Sequence, residues 1–272
     1  MTDWNSFARA NASQRWRKSS AMMGRPMTEA IVAAADIRPG LRVLDVASGT
    51  GEPAISIATA LNATGRVIAT DISSEPLTIG EQRAHERGLT NIEFQHADVH
   101  DLPFPDNSFD LVTSRLGAMF FADINQALRE IHRVLTIGGR ATLLAWGPMD
   151  QGYFSTTVGT IVKIVPDLRV PDSGKKMFKF GEPETLAKAL RTSGFGHVEE
   201  AQEEVPWNWP GTPDDLWSYF QDVTAPFKPL FQSVPEASRK EVDQAVLSEL
   251  HKRYDGEFVR FNAKIVLASA IK

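Results

Sequence analysis

Residues 43–53, VLDVASGTGEP, limit what this chain can fold into more than any other stretch. An apolar run of β-type residues ends at Asp45, a Gly-rich turn passes through Gly49 and Gly51, and Pro53 opens a helical segment. The order is strand, tight loop, helix start. Gly49 and Gly51 let the backbone approach a ligand closely and take up positive φ. A helix start presents unpaired N–H groups and a partial positive charge. Such a turn suits the polar parts of a nucleotide-like ligand.

The turn alone leaves alternatives open. GTGEPA (49–54) also fits the G-x-G-x-x-G/A dinucleotide fingerprint, and Gly-rich turns occur as plain structural loops. Three carboxylates narrow the choice. Asp45 places a negative charge before the turn, which suits a cationic ligand group and repels pyrophosphate. A second strand, RVIAT (66–70), ends in Asp71, 20 residues after Gly51. A carboxylate there can accept both hydroxyls of a ribose. A third strand, IEFQH (92–96), leads into Ala97 and Asp98, where a carboxylate can take the exocyclic amine of an adenine. Val99 then offers its N–H to a ring nitrogen. Together they fit a ligand with a cationic head, a ribose and an adenine.

With those residues in view, the chain resembles the class I S-adenosylmethionine (SAM)-dependent methyltransferases. Within them it is similar to the branch that includes the ubiquinone/menaquinone-biosynthesis C-methyltransferases. The matching segments are VLDVASGTG (43–51), ATD (69–71), HAD (96–98), LPFPDNSFDLVTS (102–114) and LREIHRVLTIGGR (128–140). They span about residues 40–146. One position departs: the family often carries Gly where this chain has Ala47. The resemblance implies a seven-stranded Rossmann-like α/β sheet, mostly parallel with an antiparallel last strand, helices on both faces and a helical cap. It implies SAM as cofactor, held by Asp45, Ala47, Ser48, Gly49, Gly51, Asp71, Ile72, Ala97, Asp98, Val99, Ser114 and Arg115. It implies transfer of a methyl group to a small-molecule acceptor.

Composition agrees with a globular enzyme and excludes several classes. Hydrophobic residues make up 42% and charged residues 23%, values of a packed chain. Net charge is −5, which argues against a nucleic-acid partner. There are no cysteines, so disulfides, thiolate metal sites and a Cys nucleophile are excluded. His, Asp and Glu are scattered, with no metal-ligand spacing. No apolar run reaches the length of a membrane span. A cytoplasmic protein is expected, as monomer or homodimer. Residues 4–25 carry Arg9, Arg15, Arg17, Lys18 and Arg25 with no acid. That pattern suits an organellar transit segment, or a helix with Trp4, Phe7 and Trp16 as its apolar surface.

Strand and helix patterns alternate through residue 146, as in a parallel sheet with helices on both faces. Helices are expected at 27–37, from Pro53 to Leu61, from Ser73 or Ser74 to about Arg87, and over Ile124–Leu135. The last of these is expected to stop at Gly138-Gly139, before a fifth strand at 141–146. Strands are expected at 41–46 and 109–114. Later, 183–193, 213–221 and 236–253 read as helices, and 197–205 and 257–271 as strands. The expected organisation is an N-terminal cap segment, 1–26, and a methyltransferase domain, 27–272, with a helical insertion at about 210–256.

A sulfonium methyl is already activated, so the protein mainly has to align the acceptor and exclude water. No base stands out. His100, Tyr153 and His132 are base candidates, with His132 on the polar side of its helix; Ser114 and Arg115 sit at the carboxyl edge of the sheet, and Arg115 is a further catalytic candidate. The apolar LGAMFF (116–121) suits a pocket floor or core. Tyr153, Phe154, Trp207, Trp209, Trp217, Tyr219 and Phe220 could wall an acceptor pocket, although cap packing accounts for most of them. Two rivals remain at this point: an NAD(P)-dependent oxidoreductase using GTGEPA, and a SAM-binding protein without turnover.

Overall fold

The computed structural model describes residue 15 and residues 17–272. Trp4, Phe7 and Trp16, on which the N-terminal expectation rests, lie outside the described residues. Two compact units share the chain. The first holds Met27–Ala145, Phe180–Glu203 and Ile265–Lys272; the second holds Trp146–Lys179, Glu204–Lys264 and the residues up to Pro26.

Helix α1 spans Arg17–Ala34 and runs straight through Pro26. This corrects the expected start at residue 27. Met23, Met27 and Ile31 recur at four-residue spacing and are all buried. Burial of that stripe outweighs the one backbone bond that a proline removes. After it the chain alternates β1 (Arg42–Val46), α2 (Ala54–Leu61), β2 (Arg66–Asp71), α3 (Ser74–Glu86), β3 (Ile92–His96), β4 (Phe109–Arg115), α4 (Ile124–Val134) and β5 (Leu135–Trp146). Helix α5 (Thr185–Thr192) and strand β6 (Gly196–Pro206) follow, then α6 (Pro213–Val223), α7 (Glu236–His251) and β7 (Asn262–Ile271).

The seven strands form one sheet in the order β3-β2-β1-β4-β5-β7-β6. Neighbours from β3 to β5 are parallel. Strand β7 is antiparallel to β5: Gly138 N–H donates to Lys272 O (3.1 Å) at one end and Gly147 N–H to Lys264 O (2.8 Å) at the other. The expected antiparallel last strand is therefore present. On one side, Val43, Val67, Ala69 and Leu111 of the sheet pack with Ala54, Ile57, Ala58 and Leu61 of α2. Helix α4 buries Ala127, Leu128, Ile131 and Val134 and packs against α5.

Gly138-Gly139 does not separate α4 from β5. The strand begins at Leu135, directly after the helix, and the glycine pair lies inside it. Phe109 pairs with Leu135 and Leu111 with Arg140, so extra residues bulge out of β5 there. Gly138 takes φ +78° in that bulge. The expected strand at 257–271 is also divided. Phe258–Val259 pairs antiparallel with Trp209–Pro210, and β7 starts only at Asn262.

The second unit contains a helical run absent from the sequence reading: Gly152–Phe154, a π-helical turn Ser155–Gly159, then Thr160–Ile164. Tyr153 and Phe154 sit in an aromatic cluster with Phe178, Phe220, Phe227 and Phe261, mostly edge to face. Trp209 stacks on Tyr219, and Trp217 Nε1–H donates to Asp243 (2.8 Å). These rings are the unit's core. No helix among the described residues is long and apolar enough to cross a membrane.

Candidate active site

All twelve residues expected at the cofactor lie in the first unit, at or just beyond the carboxyl ends of β1, β2, β3 and β4. Parallel register brings them together. Val46 pairs with Thr70, which puts Asp71 one residue beyond β1. Asp71 pairs with His96, which puts Asp98 two residues further out. Asp45 pairs with Thr113 on the other side, which puts Ser114 and Arg115 at the same edge.

The glycine turn is shaped from both sides. Gly49 and Gly51 take φ +53° and +101°. Gly49 N–H donates to Asp71 Oδ2 (2.8 Å), and Asp71 Oδ1 accepts from Ser73 N–H (2.9 Å). Asp71 thus ties the turn down while each oxygen keeps a lone pair. A Cβ added at Gly49 would meet no protein atom within 4 Å, so that face of the turn is open. Gly51 is the opposite case: a Cβ there would come within 2.6 Å of Ile55 Cδ1 and 3.2 Å of Gly80 Cα.

Asp45 is fully buried. Its Oδ1 accepts from Thr113 Oγ1–H (2.6 Å), and its Oδ2 has no partner among the described residues. The loop is held by the Asp45 carbonyl, which accepts from the Ser48 and Thr70 hydroxyls (2.9 and 3.2 Å). Burial pushes the Asp45 carboxyl up to about 7, against the pull of the Ser48 and Thr113 hydroxyls and the Arg115 charge. Ser114 Oγ is likewise buried without a partner. Two orphaned polar atoms at the ends of adjacent strands are what a bound polar ligand would satisfy.

Ala47 takes φ +56°, in the left-handed region that favours glycine. Its methyl group fits because residue 117 is Gly: a Cβ there would come within 2.5 Å of Ala47 Cβ and 2.6 Å of Ser114 Oγ. Ile72 beside Asp71 is 55% exposed, an apolar face left in water at the rim. Ala97 is buried, and Asp98 and Val99 are half-buried. Ala118 and Met119 of the LGAMFF segment are buried in a 3-10 turn.

The base candidates separate. His100 Nδ1 lies 2.6 Å from Asp98 Oδ1, and its Nε2 accepts from Asp123 N–H (3.2 Å). Both ring nitrogens are engaged within the protein. His132 is not on a solvated face; it packs edge to face on Phe195 (5.0 Å), and burial lowers its pKa. Tyr153 belongs to the second unit and is buried among rings, which raises its pKa well above the usual value. Arg115 Nε–H donates to Glu52 O (3.4 Å), which holds it against the glycine turn. Sequence reasoning missed Thr113, Gly117 and the pair Arg83–Glu52. The strand register would have exposed Thr113 as the neighbour of Asp45; nothing local marks the other three.

The ubiE/COQ5 methyltransferase family matches residues 23–203, two-thirds of the chain and every one of these site residues. The chain belongs to that family. S-adenosylmethionine is the cofactor that goes with it. A ubiquinone/menaquinone biosynthesis C-methyltransferase of Stenotrophomonas maltophilia is 40% identical over 124 residues, 45% of this chain and 49% of that protein. A demethylmenaquinone methyltransferase of Geobacillus kaustophilus is 40% identical over 181 residues, 63% of this chain and 77% of that protein. The chain spans about half the length of several of these curated relatives. A crystal structure of a methyltransferase-like protein from Bacillus halodurans superposes with a TM-score of 0.56 at 20% identity, over 90% of this chain and 98% of that one. The last comparison bears on the fold, and it agrees with the seven-stranded sheet. The residues fit the family's cofactor: an open glycine cradle, orphaned Asp45 Oδ2 and Ser114 Oγ, Asp71 with free lone pairs, and exposed Ile72.

Proposed function

We propose that this chain transfers a methyl group from S-adenosylmethionine to a small-molecule acceptor. One observation carries the reading: Asp45, Asp71 and Asp98 lie at one sheet edge around a glycine turn whose Gly49 face is open. Asp71 takes the ribose hydroxyls, Asp98 the adenine amine, and Asp45 faces the ammonium of the methionine part. Gly49, Ser48 and Ala47 give backbone approach, Ile72, Ala97 and Val99 flank the adenine, and Ser114 and Arg115 border the methionine end. The cofactor supplies a methyl group already activated as a sulfonium. The chain's own work is to hold the reactants in line and keep water out. The relatives' names point to a quinone-type acceptor methylated at carbon. An oxidoreductase reading fares worse, because a dinucleotide would bring pyrophosphate against the buried Asp45.

The test is calorimetric titration of SAM into the wild-type protein and Asp71→Ala, beside a methyl-transfer assay on a panel of quinone-type acceptors. Loss of charge-assisted bonds should weaken SAM at least tenfold, about 1.4 kcal/mol or more. An unchanged affinity with the fold intact overturns the site. Tight SAM binding with no product from any acceptor would leave a binding protein instead of an enzyme.

A further inference from the structure

We propose that His100 is a positioning residue that makes the site select a 6-amino purine, by engaging one oxygen of Asp98 fully and leaving the other as a bare acceptor. This rests on the reading of Asp98 as the adenine contact. Asp98 Oδ1 accepts twice from one residue, from His100 N–H (2.9 Å) and from the imidazole at Nδ1 (2.6 Å). Asp123 N–H, a donor, makes Nε2 the accepting nitrogen, so Nδ1 carries the proton. The backbone also holds the residue: His100 O accepts from Gln126 Nε2 (3.0 Å). Phe121 lies edge-on to the ring at 6.2 Å. The imidazole therefore has one orientation and one tautomer.

Asp98 Oδ2 is different. No donor among the described residues reaches it, and the side chain is 46% exposed. Burial pushes the carboxyl up, but the His100 N–H and imidazole together bring it below the ordinary carboxylate range. An ionised carboxylate only accepts. A 6-amino group offers it a donor, whereas a 6-oxo group sets one acceptor against another. Sites built around a hydrogen bond reject analogues that lack it far more strongly than pocket shape alone does. Without His100, Asp98 would turn more freely and take a proton more easily, and either change tolerates the 6-oxo ring.

A purely structural role must be separated, because His100 also links this turn to Asp123, which caps α4 by accepting from Asn125 N–H and Gln126 N–H. The readout is a ratio of affinities, which loss of stability alone does not move. Dissociation constants for S-adenosylhomocysteine and its deaminated counterpart, S-inosylhomocysteine, are measured by calorimetry. The proteins are wild type, His100→Leu, His100→Asn and Asp98→Asn. Wild type should prefer the adenosyl compound by about 100-fold or more. His100→Leu should lower that preference about tenfold. His100→Asn, whose amide nitrogen stands near the place of Nδ1, should keep it while losing the Asp123 link. Should His100→Leu fail to fold, His100→Gln replaces it, keeping an acceptor for Asp123 N–H without the Nδ1 donor. Asp98→Asn, which can donate to a 6-oxo group, should shift preference toward the inosyl compound. A wild-type ratio in His100→Leu, beside a changed ratio in Asp98→Asn, overturns the role of His100 alone. Unchanged ratios in both overturn the adenine reading itself.

Discussion

At the scale of single residues, Asp45 gives the sharpest physical handle. Burial lifts its carboxyl from 3.8 to about 7. The folded chain therefore keeps a proton that the unfolded chain releases between about pH 4 and pH 7, so stability falls as pH rises through that window. Thermal melts from pH 4.5 to 8 should show the slope, and Asp45→Asn should flatten it. A cationic ligand group opposes the same proton. SAM affinity should rise with pH up to about 7, with protons released on binding, and Asp45→Asn should abolish the release. An equal pH slope in the variant would contradict the assignment. Ala47 gives a second prediction. Its left-handed backbone costs about 1 kcal/mol or more for a residue with a Cβ, set against the extra chain entropy of glycine. Ala47→Gly should thus be neutral or stabilise by up to about 1 kcal/mol in chemical denaturation. Gly117→Ala should cost about 1–3 kcal/mol through overpacking, and Ala47→Gly should recover part of it. The acidic residues were legible because each stands at or just after the end of a strand-like segment. Gly117 was not, because its requirement comes from Ala47, 70 residues away in sequence.

At the scale of elements, the glycine turn and α3 behave as one piece. Arg83 on α3 donates to Thr50 O and pairs with Glu52 (3.0 Å), and both side chains are nearly buried. Glu52 also accepts from Ser56 Oγ–H (2.6 Å). Gly80 lies against both Gly51 and the Phe94 ring. Removing one partner takes a 3.0 Å ion pair from the other in a low-dielectric site, although Arg87 still lies 3.8 Å from Glu52. Arg83→Met or Glu52→Met alone should cost about 3–5 kcal/mol in urea denaturation, and the double variant less than the sum of the two. Additive losses would show that the pair does not couple turn to helix. Most elements of the first unit were legible, since β1, β2 and β4 are largely apolar runs and α4 has a clear apolar stripe. The helical run from Gly152 was not. Tyr153, Phe154, Thr156, Thr157, Val158 and Ile161 are all buried, and only the narrow stripe of Ser155, Gly159 and Lys163 is exposed, so little polar patterning marks the helix. Its Thr, Val and Ile content favours strand, and tertiary packing overrides that preference. Gly138-Gly139 misled for a related reason: a glycine pair marks positive φ, and a bulge needs it as much as a helix end does.

At the scale of the whole molecule, the chain enters its first unit three times, and its last strand lies inside the sheet. Strand β7 stands between β5 and β6, although it is the last strand in sequence. Sequence order alone places it at an edge, which is why the topology was reached through resemblance and not from local pattern. The family match ends at residue 203 and does not include β7. Deleting residues 262–272 should therefore leave β5 and β6 without their shared neighbour and remove cooperative thermal unfolding by circular dichroism. A sharp transition near the wild-type midpoint would contradict this account of the sheet. The central claim concerns the other end of the strands. A crystal structure of the protein with S-adenosylhomocysteine bound tests it most directly. The account predicts the ribose on Asp71, the adenine between Ile72 and Asp98, and the amino group facing Asp45 across the open side of Gly49. Density for the ligand away from that edge, with Asp71 still bonded only to Gly49 and Ser73, would contradict it.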